Sequence, residues 1–291
     1  MDIGIGIPNT VLGATGAGLL EWARRAEAAG FSSLGTIGAL SYPGYEELSA
    51  LAAAAAVTER IRLLPDVLVA PPRNTAELAK QAATVNEISA GRLTLGLGIG
   101  WRAADFVLAG RDFHERGRIF DEQLRQLRAA LAGEALADDT RPVIPEAARE
   151  RPLPLLIGGT VDASFRRAAE YGEGWTAGGL PPDAVAASRE RAEAAWREAG
   201  RDGKPRIVAL AYFSLGDTED VSRRNLFHYY EPAGNEMADM VAGSALRSPE
   251  AIKGAIKAYE EAGTDELILD PSVPDPDQVD LLAEVVFGSD S

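Results

Sequence analysis

The stretch Leu93–Asp121, LTLGLGIGWRAADFVLAGRDFHERGRIFD, decides how the rest of the chain is read. Leu93, Leu95, Leu97 and Ile99 recur at every second position, the period of a strand whose side chains point to opposite faces. Glycines at 96, 98 and 100 leave the carboxyl end of that strand without side chains, as a backbone requires where something flat must approach it. Residues 101–114 read as a loop carrying Trp101 and Asp105, and a helix is expected from Glu115. The same glycines loosely fit a dinucleotide fingerprint, Gly98-Ile99-Gly100-Trp101-Arg102-Ala103. A Rossmann site needs the helix to open within that motif, and the loop expected here argues against it.

Outward from this strand, short aliphatic runs alternate with longer helical patterns. Strands are expected at Ile3–Ile7, Ser33–Ile37, Ile61–Leu68, Leu93–Ile99, Leu153–Ile157, Gly174–Ala177, Arg206–Phe213 and Glu266–Leu269. Helices are expected near Gly18–Ala29, Tyr45–Thr58, Thr75–Ile88, Glu115–Ala132, Val161–Tyr171, Pro182–Ala199, Ser248–Ala262 and Pro276–Phe287. Glycines at 30, 172 and 263 mark helix ends. Eight strands, each followed by a helix, make a (β/α)8 TIM barrel, and 291 residues suit one. No Gly- or Ser-rich linker divides the chain, so a single domain over residues 1–291 is expected. Residues 133–152 read as a long polar connection between units four and five. Residues 218–246 form an insertion after strand 7, on the face where barrel active sites are built, and read as a lid or a subunit contact.

Composition narrows the function classes. The formal net charge of −15 disfavours nucleic acid and anionic membranes as partners. With no cysteine, disulfides, thiolate nucleophiles and cysteine metal sites are excluded, and a cytoplasmic setting is expected. No apolar run approaches a membrane span, and the opening MDIGIGIPNT lacks the basic region of a secretory signal. Only His114 and His228 are present, so no histidine-based metal site is expected. Gly158-Gly159-Thr160 before one helix and Gly178-Gly179 before the next read either as ordinary turns or as a phosphate nest, where backbone N–H groups converge. Two such turns in adjacent late units favour the nest. His228, Tyr229 and Tyr230 in the insertion are the candidates for substrate contact and catalysis, aromatic packing onto the barrel being the alternative. His114 reads as a surface or capping residue. Arg116, Arg118 and Asp121 read as outer ion pairs, and Trp22, Trp175 and Trp196 as core. The run Ala52–Ala56 reads as close helix packing at a dimer contact.

Several segments carry a resemblance: EWARRAEAAGFSSL (21–34), the continuous stretch from Ala52 to Trp101, LPLLIGGT (153–160) and RRAAEYGEGW (166–175). Together these motifs, in barrel order, resemble the luciferase-like flavin and deazaflavin (F420) oxidoreductases. The resemblance implies that Asp66-Val67 is a non-proline cis peptide forming a bulge against a flavin-type ring. It implies a cofactor site of Asp66, Val67, Gly98, Gly100 and Trp101, with the phosphate at Gly158, Gly159, Thr160, Gly178 and Gly179. The chain also departs from the pattern. Gly38 and Ala39 stand where hydride-transferring F420 members carry an Asp-His pair, and Trp101 stands where many carry a glutamic acid. An alcohol dehydrogenase needs that acid and base, whereas a monooxygenase, whose cofactor carries the hard chemistry, depends on them less.

The expectation is therefore a luciferase-like monooxygenase that oxidises a small organic molecule with FMN, reduced to FMNH2 by a partner flavin reductase. An F420-dependent reductase or dehydrogenase on the same barrel is the alternative. A non-catalytic flavin-binding protein and a cofactor-free barrel enzyme are readings of other kinds. A homodimer or higher homo-oligomer is expected.

Overall fold

Strands that read as continuous aliphatic runs need cover on both faces, and a parallel sheet wrapped in helices supplies it. The computed structural model describes residues 1–288. Among these, the strands are β1 (Asp2–Gly6), β2 (Ser33–Thr36), β3 (Arg62–Pro65), β4 (Leu68–Val69), β5 (Leu95–Gly98), β6 (Leu155–Gly158), β7 (Gly174–Thr176), β8 (Arg206–Phe213) and β9 (Glu266–Pro271). All pair in parallel, in the order β3-β2-β1-β9-β8-β7-β6-β5-β4. The two ends of that order meet at Leu63, whose N–H donates to Arg92 O at 3.0 Å and whose carbonyl accepts from Thr94 N at 2.9 Å.

Nine strands make eight staves because the third expected strand is broken. Its first half, β3, pairs with β2 (Leu34↔Leu63), and its second half, β4, pairs with β5 (Leu68↔Leu97). The break falls at Asp66-Val67, whose peptide bond is cis.

The helices are α1 (Gly16–Ala29), α2 (Glu47–Ala55), α3 (Thr75–Ile88), α4 (Ala103–Leu108), α5 (Arg116–Leu131), α6 (Asp162–Tyr171), α7 (Pro182–Glu198), α8 (Glu219–Tyr230), α9 (Asn235–Ser244), α10 (Pro249–Glu261) and α11 (Asp277–Phe287). Side-chain caps start several: Thr15 Oγ1 accepts from Gly18 N at 3.1 Å, and Asn74 Oδ1 accepts from Ala76 N at 2.9 Å. The insertion is the α8–α9 hairpin, and it returns to the barrel where Leu246 N donates to Tyr212 O at 2.8 Å. Between α5 and β6, the long connection carries one 3-10 turn at Glu146–Glu150.

Two apolar regions hold this together. One lies between sheet and helices and includes Trp22, Phe120, Phe165 and Trp175. The other includes Leu64, Leu156, Val208, Leu210 and Ile268 together with Leu226 and Tyr229 of the insertion. Trp22, Trp175 and Trp196 are all buried, as expected.

Two expectations need correction. Residues 103–108 form α4 rather than loop, because Phe106 is fully buried and the Asp105 carboxylate accepts from Ser41 N (2.8 Å) and Ser41 Oγ (2.6 Å). A tertiary anchor thus stabilises a helix too short to announce itself by period. A helix does open within the glycine fingerprint, yet it ends at Leu108, and β5 lies between β4 and β6 of a barrel rather than in a Rossmann sheet. All three glycines do end helices as expected, Gly30 (φ 94°) and Gly263 (φ 83°) in left-handed and Gly172 (φ −102°) in extended backbone.

Gly96 measures how tightly the broken stave fits. A Cβ there would lie 2.1 Å from the Pro65 carbonyl oxygen, which is backbone and cannot swing aside. Gly96→Ala is expected to destabilise the fold by about 1–3 kcal/mol or more, the usual cost of overpacking. Urea denaturation measures it, and an unchanged midpoint would contradict the packing described.

Candidate active site

At the carboxyl ends of the strands lies a cavity of about 470 Å³. All ten positions expected to bind cofactor line it: Asp66, Val67, Gly98, Gly100, Trp101, Gly158, Gly159, Thr160, Gly178 and Gly179. So do Tyr229 and Tyr230 of the insertion. His228 points elsewhere, into a separate outer hollow with Phe227 and Ala242, and its Nδ1 lies 3.0 Å from Tyr42 Oη.

The floor is made by the third stave pressing into its neighbour. A Cβ on Gly98 would lie 2.7 Å from Val67 Cγ2, and one on Gly100 would lie 2.5 Å from Val69 Cγ1. One on Gly158 would lie 3.1 Å from Val67 Cγ1. The alternate glycines therefore admit the adjacent stave first: Val67 fills the room they leave and forms a smooth apolar surface under the cavity.

Beneath it lies a buried acid. Asp66 Oδ1 accepts from Thr176 Oγ1 at 2.5 Å, and Thr176 Oγ1 accepts in turn from Gly178 N at 3.2 Å. Burial pushes the Asp66 carboxyl up to about 6. Glu47 fills the space behind Gly38, where a Cβ would lie 2.0 Å from its Oε1. Its carboxyl pairs with Arg73 at 2.5 Å, and burial pushes it up to about 7 against the pull of that guanidinium.

The insertion closes the far side with aromatic rings. Trp101 stacks on Tyr230 with centroids 6.0 Å apart and planes 6° from parallel. The Tyr212 and Tyr230 hydroxyls are 2.8 Å apart, and Tyr229 Oη donates to Gly38 O at 3.1 Å. Burial raises all three phenols, so they stay protonated; with Tyr229 donating to Gly38 O and one of the Tyr212–Tyr230 pair donating to the other, one phenolic proton is left for a ligand. Arg102 pins the arrangement: it donates to Tyr229 O at 2.5 Å and lies 4.5 Å from both the Trp101 and Tyr229 ring centroids.

Arg116 is a second correction to the ion pairs expected on α5. Arg118 does pair with Glu115 (2.5 Å) and Asp121 with Arg167 (2.6 Å), but Arg116 lines the cavity, as do Thr160 and Val161. Its guanidinium lies 3.9 Å from the Phe113 ring centroid, and its buried Nε has no partner among the described residues. The loop it faces is held by Trp175 Nε1 donating to Gly159 O (2.7 Å) and Arg191 Nη1 donating to Thr160 O (3.0 Å). A cation with an open donor, beside glycine turns that lead into the N-termini of α6 and α7, can receive a phosphate. His114 is exposed, as expected. Among the described residues no cluster of His, Cys, Asp and Glu could hold a metal ion, and no helix is long and apolar enough to cross a membrane.

The family profile described as luciferase-like monooxygenase matches residues 1–285. The chain belongs to that family. An uncharacterized protein of Mycobacterium tuberculosis is 31% identical over 222 residues, which is 66% of this chain and 77% of the relative. Pyrimidine monooxygenase of Escherichia coli is 26% identical over 208 residues, 66% of this chain and 55% of the enzyme. Among solved structures, a monooxygenase of Streptomyces bottropensis has a TM-score of 0.79 at 22% identity, covering 99% of both chains. An F420-dependent secondary alcohol dehydrogenase reaches 0.80 at 19% identity, covering 99% of this chain and 98% of the other. The family match supports an oxidoreductase.

Arg102→Ala is expected to free the insertion, making residues 219–246 more open to limited proteolysis while the barrel's thermal transition moves little; unchanged protection would contradict the pinning role. For Asp66, the raised value means that ionisation opposes folding. Its contribution to stability is full below the ordinary carboxylate value of 3.8 and is lost as pH rises through about 6. Asp66→Asn is therefore expected to gain stability relative to the native protein between pH 4 and pH 7, by on the order of 3 kcal/mol. Urea denaturation at both pH values tests this, and an equal difference at the two would refute it.

Proposed function

We propose that this protein is a monooxygenase that oxidises a small organic molecule with reduced FMN, which a separate reductase supplies. The observation that carries the proposal is the pairing of a smooth Val67–glycine floor with an open cationic end at Arg116, in one cavity whose far wall is aromatic. The floor suits a planar tricyclic ring, Arg116 and the Gly158–Thr160 and Gly178-Gly179 turns suit its phosphate, and Trp101, Tyr212, Tyr229 and Tyr230 leave an apolar chamber with a phenolic donor for the substrate. Bound there, the reduced cofactor supplies the electrons and activates oxygen. The chain's own residues would orient the ring, exclude water with the insertion and present a phenolic hydrogen bond.

FMN is favoured over F420 by what stands at the ends of β2 and β5. Gly38 and Ala39 after β2 and Trp101 after β5 stand where the F420 enzymes that the sequence resembles carry an Asp-His pair and a glutamic acid for hydride exchange with an alcohol. The fold is shared by an oxygenating enzyme of Pseudomonas putida in complex with FMN, with a TM-score of 0.71 at 17% identity.

Titration of the purified protein with FMN, FMNH2 and F420 tests the reading. Preference for FMNH2, followed by substrate-dependent oxygen consumption with a reductase, is expected. Tighter binding of F420 with substrate-dependent bleaching would assign the deazaflavin chemistry instead. No measurable affinity for any of the three would refute the cofactor site.

A further inference from the structure

Below the cavity floor, the barrel interior holds two acids that the proposed reaction has not used. Asp66 comes from the break in the third stave and Asp270 from the end of β9; both are buried, 4% and 3% exposed. Asp66 Oδ2 and Asp270 Oδ1 are buried without a partner among the described residues, and so is the nearby hydroxyl of Thr36, whose carbonyl accepts from Asp66 N at 2.7 Å. Asp270 lies against the backbone of Gly6, where a Cβ would come within 1.8 Å of Oδ1. The barrel is thus shaped to admit this carboxyl although nothing in the fold bonds that oxygen.

The surrounding charges do not neutralise the pair. Arg206 and Glu266 act on Asp66, but Glu266 already engages Arg206 and Arg62. On the other side stand Tyr212 and Tyr230, neutral phenols that Asp270 helps keep protonated. Two buried carboxyls without their own cations resist ionising together. Burial, and then the neighbouring Asp66, pushes Asp270 well above the ordinary carboxylate range, and of the two it is Asp66 that lines the cavity.

We propose that Asp66 and Asp270 hold a proton between them at neutral pH, and that Asp66 exchanges a proton with the group reacting above the Val67 floor. This rests on the cavity being the cofactor site. In one direction the O–H bond of the Asp66 carboxyl breaks as its hydrogen bonds to an oxygen or nitrogen of the reacting group; the reverse step returns it, and no electrons change hands.

Infrared spectroscopy of the cofactor-free protein tests the pair. One protonated-carboxyl band is expected to persist at pH 8 and to vanish in Asp270→Asn. A second is expected to titrate near pH 6 and to vanish in Asp66→Asn, distinct from the Glu47 carboxyl, which titrates near 7 and is unaffected by that substitution. Absence of the persistent band from the native protein would overturn the shared proton, and this spectrum needs no variant to fold. Reoxidation by oxygen of reduced FMN bound to the protein tests the exchange. Asp66→Asn is expected to slow it on the order of 100-fold and flatten its pH profile, with Asp66→Glu restoring the inflection. An unchanged rate and inflection in an Asp66→Asn protein that binds FMN would overturn the exchange. Failure of the native protein to bind FMN would refute the cofactor reading, and the infrared titration would still decide the pair.

Discussion

The structure depends on one close fit: the third stave breaks at Asp66-Val67 and its residues press into a neighbour stripped of side chains. Pro65 O meets Gly96, Val67 meets Gly98 and Val69 meets Gly100, each nearer than any Cβ would allow. The fit lets the stave pair with β2 through its first half and with β5 through its second. It also lays Val67 across the cavity floor and leaves Asp66 beneath. Barrel closure, the apolar floor and the buried acid therefore share one cause.

The upper wall depends on a second, weaker arrangement. α8 has little reason of its own to sit over the barrel, because much of its surface is charged. Tyr229 and Leu226 join the apolar interior at the mouth, and Arg102 holds the Tyr229 carbonyl from the loop after β5. The segment that supplies the floor's glycines thus also anchors the wall above it. Cavity shape and insertion position are coupled through residues 96–102.

Much of this was legible in the sequence, and the limits have physical reasons. Short aliphatic runs placed all eight staves, and Arg206–Phe213 was matched end to end because an unbroken apolar run has no competing pattern. The glycine turns placed the cavity's late side. Where legibility failed, contacts distant in sequence decided. α4 exists because Ser41 and a buried Phe106 anchor it. Arg116 follows the helical spacing of its surface neighbours, yet at the start of α5 it lines the cavity and lies over the Phe113 ring. Arg102 carries no sequence signal at all. Tyr212 was within reach, since Val208, Leu210 and Tyr212 alternate along β8, and Leu210 and Tyr212 both line the cavity. The strand-four glycines were read as room for a ligand; the room is taken by Val67, and a ligand meets that side chain instead.

The central claim is that Val67, seated on Gly98 and Gly158, is the surface on which a flavin ring lies. Methyl NMR of the protein during FMN addition tests it most directly. An aromatic ring lying on Val67 is expected to shift both of its methyl resonances strongly, with Val69 shifting less. FMN binding that leaves the Val67 methyls unmoved would contradict the account.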